Sequence, residues 1–486
     1  FLFTLLLLIM YSGNFFCTAL ESPTSSANIR QTKHISISDV PTATISHGGA
    51  SAPKVSKIQQ RKTTHSFYWS VFHNWLYFLS LGINAINIPF LIRKIIDGSA
   101  TAKPSAKSIA LSGNVEAVDK FLTFLGVGYL STLSDKYGRK PLMLWSAVGF
   151  MVTNLIQSST KSIALLYLAD FIDGISSCMS PVCQAFLVDC SSESAQQCAT
   201  NLGIFQGLSV GGAFVLAFPI GGLIGARKGP SFALRLAAAI QALNVLILIF
   251  LTPESHSSTP EQQQKVDFKE ANPIGGLIKL FGRGDLLRTG SIAFFLAQLA
   301  RNSLDAQFPT YTNLRFGWTQ AQSGPVLVLV GLMLAIVPRI LVPRLGLRHS
   351  IEVGLATFAM GLFGAGLAPS PPLFVAAIAL VAVGCVCLPT LQALLVNLAN
   401  PEERGSLLGA MGAVNELTGA IGSSMYAAIL AKFNTGNPPF PLPGFHFMVG
   451  SSLVVLAGIL TIPGLKTHKD NAALSMGDVS STGVSY

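Results

Sequence analysis

The stretch LSTLSDKYGRKPLM, Leu130 to Met143, decides how the chain is read. Asp135 and Arg139 stand at i,i+4, so one helical turn brings a carboxylate to a guanidinium, and Gly138 permits a left-handed turn that a Cβ would obstruct. Arg139 and Lys140 concentrate positive charge at this point. On either side the sequence turns apolar for about 20 residues, enough at about 1.5 Å per residue to cross a hydrocarbon core about 30 Å thick. The charged phrase therefore reads as a tight connection between two membrane-crossing helices.

Apolar stretches of the same kind recur near 70–92, 115–133, 142–160, 163–187, 201–224, 232–251, 287–308, 323–342, 350–368, 373–396, 405–431 and 445–463. These predict an all-α membrane protein of twelve spans. The longest polar connection, TPESHSSTPEQQQKVDFKEANP from Thr252 onward, divides them into six-helix halves at 70–252 and 287–465, joined by a loop over 253–286. PVCQAFLVD (Pro181 to Asp189) and PTLQALLVN (Pro389 to Asn397) lie 208 residues apart in the fourth and tenth spans, which points to a duplicated six-helix unit. Composition agrees: only 11% of 486 residues are charged, against roughly 25% in soluble domains, which argues against a soluble enzyme.

Loop Lys and Arg divide 17 to 9 in favour of the side that holds Lys136, Arg139 and Lys140, which predicts both termini in the cytoplasm. The net charge of +10 follows from this loop topology, so no nucleic-acid partner is expected. Residues 1–20 read as an apolar signal-like segment that opens on Phe1, so the natural start is expected upstream. Residues 21–69 are Ser/Thr-rich and basic, as in a disordered or transit-like segment, and 466–486 read as a disordered tail. Plasma membrane and endomembrane are the favoured locations, with an organelle envelope as the alternative.

The seven cysteines read as core thiols, and the glycine clusters around Gly211 and Gly221 as helix-packing surfaces. The sequence has no zinc, haem or nucleophile–base constellation, so neither cofactor nor metal is expected.

Ionisable groups inside a membrane are costly and mark sites. Asp170, Asp173, Ser177, Pro181 and Gln184 fall on one helical face. Two carboxylates a turn apart repel, which suits Asp170 and Asp173 to holding a proton; the alternative is structural pairing with Arg235 or Arg301. Gln298, Arg301, Asn302 and Asp305 share a face of the seventh span, where Arg301 and Asp305 can pair at i,i+4. Asn84, Asn87, Gln392 and Asn415 are further candidates for the cavity, and Glu416 is a second candidate proton site. For any one amide, a hydrogen bond between helices is the commoner role.

The Leu130–Met143 phrase resembles the loop signature of the major facilitator superfamily, G-x-L-a-D-r-x-G-R-K, with Ser131 in place of its glycine. The resemblance runs over about 70–465 and is nearest the tetracycline-resistance-like branch and its eukaryotic orphan relatives. Supporting phrases are LADFIDG (Leu168 to Gly174), QAFLVD, TPES, FGWTQAQSG (Phe316 to Gly324) and EERGSLLGA (Glu402 to Ala410). It implies two pseudo-symmetric bundles and a cytoplasmic gating latch of Ser131, Asp135, Gly138, Arg139 and Lys140, with Asp189 pairing with Arg139. It also puts Asn84, Asp173, Gln184, Asn302, Asp305 and Gln392 on a central cavity. The second-half counterpart, PRLGLRH (Pro343 to His349), keeps Gly346 and Arg348 without an aspartate, so the latch is expected on one side only.

Where drug/proton antiporters of this type carry a helix-four arginine and a helix-one carboxylate, this chain has Asp170 and Ser80. Their helix-five signature survives only as AFPIGG (Ala217 to Gly222), and Cys198 stands where Arg404 sits in the other half. The function implied is secondary transport of a small organic solute by alternating access, with efflux coupled to protons on Asp170, Asp173 or Glu416. An uncoupled facilitator, or a transporter-like receptor or adaptor, is the alternative. The expected partners are the lipid bilayer, one solute and protons, with the chain a monomer.

Overall fold

The computed structural model describes residues 66–190, 201, 205–255, 272–282, 285–398, 404–435, 438–439 and 441–481. The signal-like segment, almost all of the basic segment, much of the central loop, Cys17, Cys198 and Glu402 lie outside the described residues.

In the first half the helices are α1 (Tyr68–Ile96), α2 (Ala106–Tyr137), α3 (Arg139–Ser159), α4 (Ile163–Ser176), α5 (Met179–Cys190), a π-helical turn (Gln206–Gly211) running into α6 (Gly212–Lys228), and α7 (Pro230–Phe250). A short helix, α8 (Pro273–Gly282), lies within the connection read as loop. The second half holds α9 (Asp285–Asp305), α10 (Phe308–Phe316), α11 (Gln320–Leu367, two spans joined at a kink), α12 (Pro371–Gly384), α13 (Cys387–Leu398), α14 (Arg404–Asn434) and α15 (Phe445–Ser481). The last helix continues into the tail expected to lack structure; its ALSM run, Ala473 to Met476, is rich in good helix formers.

Eight helices, some of them joined segments, are long and apolar enough to cross a membrane. The expected spans outside that set are α2, α3, α9 and α14. Three of them carry charge inside the span, Glu116, Asp119 and Lys120 on α2, Arg301 one turn from the end of α9 and Glu416 on α14, and α2 packs along α14 across the boundary between the halves.

The duplication shows in the backbone. Gly138, between α2 and α3, has φ 103°, and Gly346, at the kink of α11, has φ 73°; the two are 208 residues apart. Both are left-handed positions where glycine avoids the Cβ clash. The fourth span, read from sequence as one helix, breaks at Ser177–Cys178, and the tenth breaks at Cys385–Val386, again 208 residues on. Pro181 and Pro389 cause both breaks: each lacks an N–H, and its ring blocks the carbonyl four residues earlier, at Ser177 and Cys385. Ser146 of α3 meets the first break by accepting from the Cys178 and Met179 amides at 3.3 and 3.2 Å.

The end of the bundle that holds Arg139 is termed the latch end here, and the opposite end the distal end. The halves are clasped towards the distal end. A Cβ at Gly113 on α2 would collide with the Ser423 carbonyl of α14, and one at Gly324 would sit 2.8 Å from the Phe218 carbonyl of α6. Asn114 accepts from Ser424 at 3.0 Å, and Arg93 at the end of α1 donates to Asn313 of α10 at 2.8 Å.

Candidate functional site

The cluster expected to form the latch is built around Arg139. Its Nε donates to Asp189 at 2.8 Å and Nη1 to Ser134 Oγ at 2.7 Å, and Nη1 also donates to Asp135. Arg139 is nearly buried whereas Asp135 is more than half exposed, so Asp189 is the better-shielded partner. Ser131 enters through its backbone, whose carbonyl accepts from Ser134 Oγ at 2.6 Å. The residue that completes the latch is Glu254 of the TPES phrase. Its two carboxylate oxygens accept from the Arg139 amide at 2.9 Å and the Lys140 amide at 3.1 Å. An anion there caps α3, whose N-cap is the side-chain-less Gly138, and meets the positive end of its dipole. Lys140 Nζ donates to the Thr252 carbonyl at 2.9 Å, and Ser255 donates to Asp189 at 3.3 Å, so the end of α7 is tied to the start of α3.

Among the described residues the second half shows no such arrangement. At the 208-residue offset Asp135, Arg139 and Asp189 become Pro343, Leu347 and Asn397, and Arg348 pairs instead with Glu352 on its own helix at 2.9 Å.

The interior holds a second cluster. Lys120 of α2 lies 3.6 Å from Asp119 and 3.4 Å from Glu416 of α14, so it joins the two halves. Asp173 of α4 lies in the field of Asp119, Lys120 and Glu416, and Glu116 in that of Lys120, Asp119 and Asp305. Lys120 and Glu416 keep part of their surface open, at 33% and 21%. Asp170 is more enclosed. It accepts from Gln157 at 2.6 Å, Gln157 accepts from Asn84 at 2.8 Å, and Asn84 also donates to Asn154 at 2.9 Å. This chain of amides runs from α1 through α3 to α4.

A family model described as Major Facilitator Superfamily matches residues 71–423. The chain belongs to this superfamily. It is 26% identical to a class C tetracycline resistance protein of Escherichia coli, over 78% of this chain and 91% of that one. It is 22% identical to the human Hippocampus abundant transcript-like protein 1, over 76% and 78%. Among solved structures, the human organic anion transporter MFSD10 (TETRAN) superposes with a TM-score of 0.62 at 19% identity, covering 83% of this chain and 99% of that one. A D-xylose-proton symporter superposes at 0.63 and 16%, covering 82% and 97%. Membership makes the protein a multi-pass membrane transporter, not an enzyme, that moves a small solute by secondary transport.

Within this superfamily chain the expected cavity residues separate into groups. Asn84 is buried in the amide chain just described, and Asn87 is fully buried between α1 and α6, donating to the Ile83 and Gly221 carbonyls at 2.8 and 3.0 Å. Asn302 donates to the Gln298 carbonyl at 2.9 Å and packs against Gly422 of α14. Arg301 and Asp305 pair at 2.8 Å and stay partly exposed. Gln184 and Gln392 are half-buried, Gln184 with a 3.4 Å contact to Ser180, and exposed Asn415 donates to Glu416 at 3.3 Å. Ser80, at the helix-one position where a carboxylate was the comparison, donates to the Ala237 carbonyl of α7 at 3.0 Å.

Among the described residues Gln157 donates to Asp170, Asp173 lies in the field of Lys120, and neither acid pairs with Arg235 or Arg301. Sequence reading missed Lys120, Asp119, Glu116 and Glu254. The phrase EAVDK, Glu116 to Lys120, inside an apolar stretch was the available signal, since three charges in one span are costly without partners. Glu254 gave none: its partners lie 115 and 114 residues away.

Proposed function

We propose that this transporter couples solute movement to protons through the cluster around Lys120, and that it exports its solute from the side of the latch. The observation that carries this reading is the 3.4 Å contact between Lys120 and Glu416, because it spans the two halves that alternating access must separate. The interior spans carry six acids, Glu116, Asp119, Asp170, Asp173, Asp305 and Glu416, against two bases, Lys120 beside Asp119 and Glu416 and Arg301 beside Asp305. Such a set is stable in a low-dielectric interior only when some of the acids are neutralised, by protons or by a positively charged solute. A proton on Glu416 removes its attraction for Lys120, which falls back on Asp119 and Asp173 of its own half, and the seam between α2 and α14 loosens. Loss of that proton restores the pair. The names of the tetracycline resistance relatives favour export, and the Lys and Arg balance puts the latch in the cytoplasm. A monomer in the plasma membrane or an endomembrane fits this reading.

The test is solute flux in proteoliposomes with an internal pH dye, comparing wild type with Asp173→Asn and Glu416→Gln. The expected result is proton movement with solute in wild type and uncoupled or lost flux in the variants. Solute flux without protons in wild type replaces coupling with a facilitator. That second reading is favoured by one observation: Asp170 and Ser80 are engaged with Gln157 and the Ala237 carbonyl, as structural groups would be.

A further inference from the structure

The second half carries a groove of about 450 Å³ between the last part of α11 and α15. The two helices run antiparallel there: Ser451 Oγ donates to the Ala359 carbonyl at 2.8 Å, and a Cβ on Gly366 would meet Gly444 and Met448 further towards the distal end. From the Ser451–Ala359 contact at mid-span the groove extends towards the latch end between Ala356, Val455 and Ile462, and its mouth is at Glu352. Seven residues of helix separate Glu352 from Ala359, a length of about 10 Å. Gly458 keeps the groove open. A Cβ there would meet Ile462 Cδ1 at 3.8 Å, an ordinary contact, and nothing nearer, so a larger side chain grows into the groove. Val455 and Ile459 beside it are exposed, which turns this face to the hydrocarbon.

The mouth is charged. Gly346 is the counterpart of Gly138, so Arg348 and His349 stand level with the latch, where the span meets water. Glu352 accepts from Arg348 Nε at 2.9 Å and from His349 Nδ1 at 3.1 Å. The carboxylate takes one nitrogen from each, which leaves both Arg348 Nη nitrogens and His349 Nε2 without a partner among the described residues. Exposed Arg344 adds a second guanidinium, so Arg344, Arg348 and Glu352 together are net positive. A partner helix is a poor occupant, because a span runs for about 30 Å and the groove for a third of that. A single hydrocarbon chain suits its length and its apolar walls, and a paired guanidinium face suits a phosphate.

We propose that this groove binds one anionic phospholipid of the latch-side leaflet, with an acyl chain laid along Gly458 and the phosphate held by Arg348 and His349. Glu352 positions both donors and balances one of the two guanidinium charges, and the positive remainder selects an anionic headgroup over a neutral one. The site stands whether or not transport is coupled to protons.

The test is native mass spectrometry of the full chain, delipidated in detergent and titrated with phosphatidylglycerol, dioleoylglycerol or glycerol 3-phosphate. Wild type is expected to take up one phosphatidylglycerol ahead of all others. Dioleoylglycerol, which lacks the phosphate, and glycerol 3-phosphate, which lacks the chains, are each expected to bind about tenfold more weakly or worse. Gly458→Leu, which plugs the groove, and Arg348→Gln, which removes the guanidinium, are each expected to weaken that first phosphatidylglycerol about tenfold. Melting temperature without lipid checks the fold: leucine is a better helix former than glycine, so Gly458→Leu is expected to melt no lower than wild type. Ala356→Leu fills the same groove from α11 and carries the same expectation should Gly458→Leu fail to fold. A series of equally weak adducts with no first site overturns the proposal. So does phosphatidylglycerol binding that the groove variants leave unchanged, or dioleoylglycerol binding as tight as that of phosphatidylglycerol.

Discussion

Replacing Glu254 by alanine removes both acceptors from the first two amides of α3, at 2.9 and 3.1 Å. Gly138 has no side chain to substitute as a cap, so the amides of Arg139 and Lys140 lose their anion together. Loss of an N-cap acceptor costs about 0.5–2 kcal/mol, and loss of a negative charge at a helix N-terminus a further 0.3–1 kcal/mol or so. Glu254 is only half-buried and water reaches the freed amides, so a local cost of about 1–2 kcal/mol is expected, a factor of roughly 5–30 in an opening equilibrium. Hydrogen exchange followed by mass spectrometry on a peptide covering 138–145 reads this directly: exchange speeds up by that factor in Glu254→Ala. Glu254→Gln keeps one oxygen acceptor without the charge and falls between the two. Exchange in Glu254→Ala indistinguishable from wild type refutes the capping argument.

Lys120→Met strands Asp119 and Glu416 without their base, whereas adding Glu416→Gln removes one of the stranded acids. A double-mutant cycle on thermal stability is expected to give a coupling energy of about 0.5–3 kcal/mol, and zero coupling rejects the pair as a stabilising contact. Pro181→Ala and Pro389→Ala restore the missing helical bonds, so melting temperatures are expected to rise or hold while transport falls; unchanged transport means that the breaks are dispensable. At the distal end, partial burial tends to raise the Asp97 carboxyl, but hydrogen bonds from Ser105 and Ser108 and the charge of Arg93 hold it below its ordinary value. Its contribution to loop stability is therefore present above about pH 4 and lost as pH falls through the lowered value. Exchange protection of 97–105 should collapse on acidification in wild type, and Asp97→Asn should abolish that dependence.

The large features were legible because they repeat or alternate. Apolar stretches of span length are hard to mistake, and the 208-residue echo of PVCQAFLVD in PTLQALLVN foretold a pseudo-symmetry that the backbone repeats at Gly138 and Gly346. The pairing of Asp135 with Arg139 was readable from i,i+4 spacing alone. Asp189 came only through family resemblance, since no local pattern links it to Arg139. The proline breaks at Ser177 and Cys385 were in principle readable, yet a proline within an apolar span is common enough that the helices were drawn unbroken. Lys120 is not legible from local spacing, because its partner Glu416 lies on a helix of the other half. Asn84 and Asn87 illustrate a limit: periodicity places an amide on a face, but which neighbour covers that face depends on the packing of α3 and α6.

The clasp of Arg93 on Asn313 has a consequence for what can open the distal end. A guanidinium keeps its charge over the whole ordinary pH range, and an amide has no proton to gain or lose there. Neither partner of this contact titrates over that range, so the medium reaches it only through the neighbouring Asp97, which accepts from the Ser105 amide at 3.2 Å. Because an ion facing a neutral dipole is less sensitive to salt than two opposite charges, ionic strength gives it little purchase as well. Acid and salt therefore act on this seal at one remove, through the 97–105 loop whose Ala100 carbonyl accepts from the same guanidinium at 3.3 Å.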